Sequence, residues 1–351
     1  MKHYFKYFIC FVLTANSFCF FSQSFGSYTF SSLDAFYSAR ALGLGGSLTS
    51  ISSNDISVGV SNPSLIRSES VNKLSFHQIL QPIGVQYGMI NYGFALNKER
   101  NIYQLSSLRY VNYGRMNETD IGGNIIGTFN PMDLLLSHGI GYQITPKLSF
   151  GCQAVIISGF YLNQAQVGVG FDLSGTWQIN EYTSVAALVK NIGTQKIIHS
   201  AYQLDLLPFE IQATITHKLK YAPFRFSMLM HHLNKFDISY FDPNDKGQVD
   251  VLTGEKILPE KSSVFEKIAQ HLIPQLEILL GKSFELRCGY NIYTRQNSGI
   301  LNNLSFSGLS FGVGLSFQRF SIDYGFKRMS SSGSYNGIAL QLNLNEWKRK
   351  K

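Results

Sequence analysis

The chain has 351 residues, of which 44% are hydrophobic and 14% aromatic, while only 15% are charged. That charged share lies well below the roughly one quarter typical of soluble domains. The formal net charge is +8, but the basic residues are scattered apart from the C-terminal WKRKK sequence in residues 345–351. This distribution gives little support to nucleic-acid binding.

The N-terminus predicts a secretory signal peptide over residues 1–22. A short basic start precedes an apolar stretch, and the small residue Ser22 suits cleavage where that stretch stops. A lipoprotein anchored at Cys19 is the alternative, but Asn16 and Phe18 fit poorly before a lipidated cysteine. The mature chain is therefore expected to act outside the cytoplasm. After the signal, no apolar run approaches the roughly 18 residues that a transmembrane helix needs.

Residues 23–72 form a predicted N-terminal segment on the periplasmic side. Its leucines, isoleucines and valines need burial, which favours a plug folded back into a larger structure over a periplasmic tether. Within it, residues 39–42 predict one helical turn that stops at Gly43, with Gly45 and Gly46 allowing a tight reversal.

From residue 73 onward, apolar and polar residues alternate with period 2, which is typical of β-strands. In AQVGVGFDLSGTWQI, for example, Val167, Val169 and Phe171 share one face while Asp172 and Thr176 share the other. Such strands are about ten residues or longer, the length needed to cross a bilayer at a tilt. The predicted strands are 73–81, 84–95, 102–113, 129–143, 147–160, 165–179, 182–192, 208–220, 223–233, 275–281, 284–293, 304–318, 319–328 and 335–344.

Fourteen strands predict an all-β fold, a closed antiparallel transmembrane β-barrel over residues 73–344. Connections after even-numbered strands are tight and most of those after odd-numbered strands are long, which is the asymmetry of outer-membrane barrels. Tags near Asn124, Gln203 and Gly254 should therefore be reachable from outside intact cells. Tags near Glu99, Glu181 and Lys282 should be hidden.

The apolar face of each strand is expected to contact lipid, and the Gly, Ser, Thr, Gln and Asn face to line the lumen. Two explanations for the lumen glycines stay open, namely close approach of something inside the barrel, or bending of the strands. Cys152 and Cys288 lie in the middle of strands and are interpreted as unpaired packing residues.

The longest connection, residues 234–274, contains a predicted amphipathic helix. Ser263 followed by Glu266 forms a capping box, and Pro274 is expected to end the helix. The apolar stripe requires a cover, which is either the mouth of the barrel or a docked surface protein. The candidate partner-binding residues are Val264, Phe265, Ile268 and Leu272.

Chemical motifs are weak throughout the chain. His231 and His232 are adjacent, so on a strand they would point to opposite faces and could not chelate one metal; His217 and His271 lack ligand-spaced partners. The glycines of residues 43–46 lack the spacing of a dinucleotide loop. Neither an enzyme nor a cofactor is predicted.

The sequence SARALGLGG followed by NPSLI resembles the N-terminal signature of the FadL-like fourteen-stranded barrels of Bacteroidota, the group that contains PorV and PorQ of the type IX secretion system. The stretches VNYGRMNETDIGGNIIGTF, VKNIGTQ and YNGIALQLNL extend the resemblance across the mature chain.

The resemblance implies an outer-membrane barrel within an attachment complex that contains PorU and PorV. It further implies that the barrel holds the surface protein PorZ, and that cargo is processed there and joined to anionic lipopolysaccharide in the outer-membrane lipid. The broader FadL-like fold implies a rival function, the transport of small hydrophobic compounds. The anchor is the main expectation, and transport is the alternative.

Overall fold

The computed structural model describes most of the mature chain. The predicted signal peptide with its cleavage position, most of the 234–274 connection, the basic tail beyond residue 347, and the tag positions Gln203, Gly254 and Lys282 lie outside the described residues. The described residues are 30–51, 53–162, 164–198, 204–239, 248–249, 256–257, 263–281, 283–296, 306–330 and 333–347.

Fourteen long strands form one closed antiparallel sheet, as predicted. Each strand pairs with its neighbours in sequence, and the first pairs with the last, for example at Phe76 and Leu340. Closure leaves no unpaired sheet edge, so backbone polar groups are satisfied within the wall. The strands are β1 Lys73–Leu80, β2 Gln86–Asn97, β3 Ile102–Asn112, β4 Met132–Thr145, β5 Leu148–Tyr161, β6 Gln164–Gln178, β7 Thr183–Ile197, β8 Glu210–Lys218, β9 Phe224–Met230, β10 Leu272–Leu280, β11 Phe284–Tyr290, β12 Leu309–Ser316, β13 Phe320–Ser330 and β14 Gly333–Asn343.

The two faces of the wall follow the alternation of the sequence. Along β6, Phe171 is 53% exposed on the outside, whereas Thr176 is 1% exposed on the inside. The same contrast separates Ile215 from Thr216 on β8. Cys152 and Cys288 are both free, and Cys152 lies on the exposed outer face instead of being buried. In the described part of the chain, helices are too short or too polar to cross a membrane.

The two ends of the barrel differ in their connections. One end, the turn end, has connections of two to five residues, at 98–101, 146–147, 179–182, 219–223, 281–283 and 317–319. The opposite end, the loop end, carries the 113–131 and 231–271 connections and a short hairpin, Met116–Thr119 with Ile125–Phe129. Glu99 and Glu181 lie at the turn end and Asn124 at the loop end. The accessibility of these positions on intact cells stays a prediction.

Residues 30–51 and 53–72, the described part of the N-terminal segment, pack within the barrel. They contain helix α1, Ala39–Leu44, and the single turn α2, Val58–Ser61, together with 3-10 turns. Helix α1 packs against β11, β12, β13 and β14, whereas the 3-10 turn Pro63–Leu65 packs against β4, β5 and β6 on the other side. The segment therefore crosses the lumen.

Helix α1 continues through Gly43, contrary to the prediction, and ends at Gly45, whose φ of +72° is the left-handed conformation that glycine adopts easily. Gly43 serves close packing instead. A Cβ atom there would lie 2.8 Å from the Cα of Gly312 on β12. Gly289 and Gly325 likewise leave room for the α1 backbone. At these positions the structure supports close approach as the role of lumen glycines.

The connection 231–271 contains helix α3, Val264–Gln270, and the following loop-end connection contains α4, Ile292–Gln296. The predicted capping box is present, since Ser263 Oγ accepts from the Glu266 N–H and the Glu266 carboxylate accepts from the Ser263 N–H. The predicted end of the helix is wrong. Strand β10 begins at Leu272, which pairs with Met230, and Pro274 lies within that strand.

Candidate functional site

A buried network of charges joins α1 to the barrel wall. Arg40 contacts the Glu277 carboxylate and donates to Glu285 Oε2 at 3.0 Å. Glu277 also accepts from Arg225, with Nε 2.5 Å from Oε2. Arg287 pairs with Glu285 at 2.8 Å. Arg287 further contacts Asp323, so three guanidinium groups face three carboxylates. A buried network with balanced charge fixes geometry, because removing any one partner leaves another charge uncompensated.

On the other side of the lumen, hydroxyl and amide groups hold the segment. Ser64 Oγ lies 2.6 Å from Thr176 Oγ1, and Ser50 Oγ lies 2.9 Å from Thr216 Oγ1. On β14, one of the strands that α1 contacts, Gln341 Oε1 accepts from the N–H of Ile56 at 2.8 Å. The polar face of the strands, which the sequence pattern assigned to the lumen, therefore provides the hydrogen-bond partners of the N-terminal segment.

A hydrophobic core fills much of the space between segment and wall. Segment and wall residues are buried together: Phe30, Leu33, Tyr37, Ile56, Val60, Ile66, Met89, Leu105, Val111, Leu135, Val155 and Ile157. The cavity left beside Tyr37 and Arg109 has a volume of about 70 Å³, and the guanidinium of Arg109 stacks 5.3 Å from the Tyr37 ring centre. The interior therefore resembles the core of a soluble domain more than an open pore.

A larger cavity, of about 320 Å³, lies where the segment meets the loop end. We call it the loop-end cavity. It is lined by Ser31, Asp34, Pro208, Phe209, Glu210, His232, Asn234, Lys235, Ile238 and Tyr293. Polar and aromatic side chains converge on one concave space, which is the usual character of a binding site.

His231 and His232 point to the same side, which corrects the expectation from their adjacency. Strand β9 ends at Met230, and His232 has a left-handed φ of +54°, so the alternation of a strand no longer applies. Their Nδ1 atoms lie 2.6 Å apart. His232 Nδ1 lies 3.2 Å from Oε1 of Glu210, the first residue of β8. His271 lies outside this cluster and contacts the His231 carbonyl through Nδ1 at 2.8 Å.

His231 lies just beyond the end of β9. Burial of its ring, and next the neighbouring His232, lower the pKa of His231 to about 3. His231 is therefore neutral at pH 7 and keeps a lone pair on one ring nitrogen. Nothing in the sequence signals this arrangement, because a single left-handed residue creates it.

The predicted partner-binding residues divide into two groups. Val264, Phe265 and Ile268 lie on α3 with exposed side chains, 65%, 80% and 48% respectively. Leu272 belongs to β10 and is only partly exposed, so it does not extend this patch. Lys267 of α3 pairs with Asp237 at 2.5 Å, and α4 lies beside α3. We call Val264, Phe265 and Ile268 the α3 patch.

Comparison with known proteins gives a fold but no family. Neither a protein-family model nor a curated protein matches the chain. The solved toluene transporter TbuX of Ralstonia pickettii superimposes with a TM-score of 0.51 at 12% identity, over 88% of this chain and 98% of that one. The toluene transporter TodX of Pseudomonas putida gives a TM-score of 0.50 at 14% identity, over 87% and 96%. The chain is thus similar in fold to these proteins, a closed fourteen-stranded β-barrel of the outer-membrane type.

Proposed function

We propose that this barrel is an outer-membrane anchor that holds a surface protein at its loop end. Following the sequence resemblance, the proposed role is that of PorQ, which would hold PorZ within the attachment complex of PorU and PorV. The observation that carries the proposal is the α3 patch, where Phe265 is 80% exposed on a capped helix. Large exposed apolar side chains on an ordered element favour a protein contact.

The filled lumen supports an anchor. The N-terminal segment is proposed to be a plug that closes the barrel to solutes, because it is held on one side by Arg40 and on the other by Ser50 and Ser64. A protein that only holds a partner needs no path through its wall. Rigid elements also present a docking surface at low entropic cost.

Transport of small hydrophobic compounds is the second candidate function. The observation that favours it is the shared fold with TbuX and TodX, both described as toluene transporters, and the loop-end cavity offers an entrance. This function would require α1 to leave its charged partners, or a gap to open in the wall. The two functions therefore predict different permeability.

The first experiment replaces Phe265 and Ile268 with Asp. Interface energy is concentrated in a few buried anchors, so partner binding should weaken by more than about 2 kcal/mol. Surface retention of PorZ on intact cells is measured by surface labelling and pull-down. Leu204→Asp is the matched control, since Leu204 is an exposed apolar residue, 64%, in another loop-end connection.

Barrel folding is verified by resistance to SDS without heating. Wild-type PorZ retention by the folded double variant would reject the α3 patch as the docking surface, and the loop around Ile121 to Ile126 would be tested next. A helix that folds onto its own barrel as a lid would give the same result.

The second experiment separates anchor from transporter. Purified barrel is placed in liposomes and uptake of a hydrophobic tracer such as toluene is followed. An anchor should leave the liposomes no more permeable than empty ones. Saturable uptake that depends on the barrel would instead favour transport.

A further inference from the structure

We propose that the loop end carries a transition-metal site formed by Glu210, His231 and His232, whose open coordination position faces the loop-end cavity. The three side chains each offer one ligand atom, and these atoms all lie within 4.8 Å of one another. Glu210 and His232 also line the cavity, so a bound ion would be in contact with its contents.

The elements that meet here explain the convergence. Glu210 is the first residue of β8. Strand β9 is joined to β8 by a turn-end hairpin, and the two histidines directly follow the last residue of β9. The left-handed His232 reverses the chain, and its own N–H donates to Glu210 Oε1 at 3.1 Å. The backbone thus fixes both ring positions against one carboxylate. His271 holds the backbone of His231 from the other side, since the His231 N–H donates to the His271 carbonyl at 3.0 Å.

The Nδ1 atom of His232 has two close polar neighbours, and its own proton can serve only one of them. His232 Nδ1 lies within 3.2 Å of both His231 Nδ1 and Glu210 Oε1. A single N–H on this atom points at one of them and cannot serve both well. If it points at Glu210, the two imidazole nitrogens face each other at 2.6 Å without a good hydrogen bond between them. A cation placed between the three atoms accepts all three lone pairs.

The local charge also favours a cation. Lys190 lies near, but it donates to Asp34 Oδ1 at 2.7 Å as well as to Glu210 Oε2 at 3.0 Å. Its single charge is therefore shared between two carboxylates. Glu210 Oε1, on the side away from Lys190, is the oxygen that faces the histidines.

Ligand chemistry defines the class of metal. Two imidazoles and one carboxylate suit Zn²⁺, Cu²⁺ or Ni²⁺ better than Mg²⁺ or Ca²⁺. Three protein ligands with a fourth open position is the arrangement of zinc sites that bind an exchangeable group. Tetrahedral bonds of about 2.0–2.1 Å set ligand atoms about 3.3 Å apart, so the two Nδ1 atoms need to separate by less than about 1 Å.

The test is metal binding by the purified full-length barrel, carrying an affinity tag without histidine and stripped with a chelator. Zn²⁺ is titrated by calorimetry, and Co²⁺ is added separately as a spectroscopic probe of nitrogen and oxygen coordination. The wild type should bind one equivalent of Zn²⁺. His232→Ala and Glu210→Gln should each weaken binding by about tenfold or more, since each removes one of three ligands.

His138→Ala and His217→Ala are the matched controls, because both histidines are exposed on the outer wall. They should bind Zn²⁺ as the wild type does. SDS resistance without heating verifies that every variant is folded, and Glu210→Gln keeps the size of the side chain if His232→Ala does not fold. The proposal is overturned if the folded wild type binds no Zn²⁺ at 100 µM, on the order of the weakest useful site. It is also overturned if folded His232→Ala and Glu210→Gln bind as tightly as the controls.

Discussion

The middle of the lumen and the loop end treat buried polar groups in opposite ways. In the lumen, Arg40, Arg225 and Arg287 are balanced by three carboxylates. At the loop end, Glu210 and two histidines crowd together beside an open cavity of about 320 Å³. Paired buried charges fix the geometry of the lumen, whereas crowded ligand atoms beside open space give a place to bind something. The lumen therefore holds the structure, and the loop end is where function is expected.

Deleting residues 26 to 66 should produce the largest effect on this contrast. The deletion removes α1, α2 and their contacts with the wall, so it should open the lumen and raise the ion conductance of single barrels in planar bilayers well above that of the full-length barrel. Conductance equal to that of the full-length protein would show that the segment is not what blocks the lumen.

Arg40→Ala should cause the next largest effect, a loss of stability of about 3–5 kcal/mol, because Glu277 and Glu285 would stay buried without their partner. The measurement is unfolding in guanidinium, followed by tryptophan fluorescence. Arg100→Ala, an exposed arginine at the turn end, is the control and should change stability little. If both variants unfold alike, the network contributes nothing to holding the lumen.

Gly43→Ala should lower stability by about 1–3 kcal/mol, because the added methyl would press α1 away from Gly312. The same unfolding assay measures it. Gly122→Ala in the exposed loop-end hairpin is the control, since the nearest atoms there belong to the flexible side chains of Asp120 and Asn124. A stable Gly43→Ala barrel would mean that α1 can shift along the wall.

Phe265→Asp should have the smallest effect on the barrel itself, within about 0.5 kcal/mol of the wild type, because the side chain is 80% exposed. Unfolding is again the readout. A large loss of stability would show that α3 is buried against residues of its own chain, which would favour the lid over the docking surface.

The fold was predictable to a large extent because one physical rule governs the whole wall. Lipid on one side and a polar lumen on the other make apolar and polar residues alternate with period 2 along each strand. The sequence therefore predicts that Phe171 faces outward and Thr176 inward. Even the N-terminal segment revealed its need for burial through its apolar residues. Local rules also gave the α3 capping box correctly.

The wrong predictions concern residues whose structure depends on contacts with distant parts of the chain. Pro274 was expected to end a helix, but pairing with Met228 on β9 places it in a strand. Gly43 was expected to stop α1, yet its role is set by Gly312, on a strand far away in sequence. The metal cluster was missed because continuing β9 to residue 233 put His231 and His232 on opposite faces. One left-handed backbone angle at His232 reverses that conclusion.

The contact between the N-terminal segment and the last strand, β14, has a consequence for the order of folding. The N–H of Ile56 in the N-terminal segment donates to Gln341, 285 residues later, so this contact must wait until the last strand is in place. Contacts between such distant residues form late, because closing so long a loop costs entropy before any contact rewards it. Until then, Arg40 and the apolar residues of the segment lack their partners. The unfolded chain therefore exposes the apolar residues of this segment until the barrel closes, so chaperones that shield them should matter more for this barrel than for one with an empty lumen.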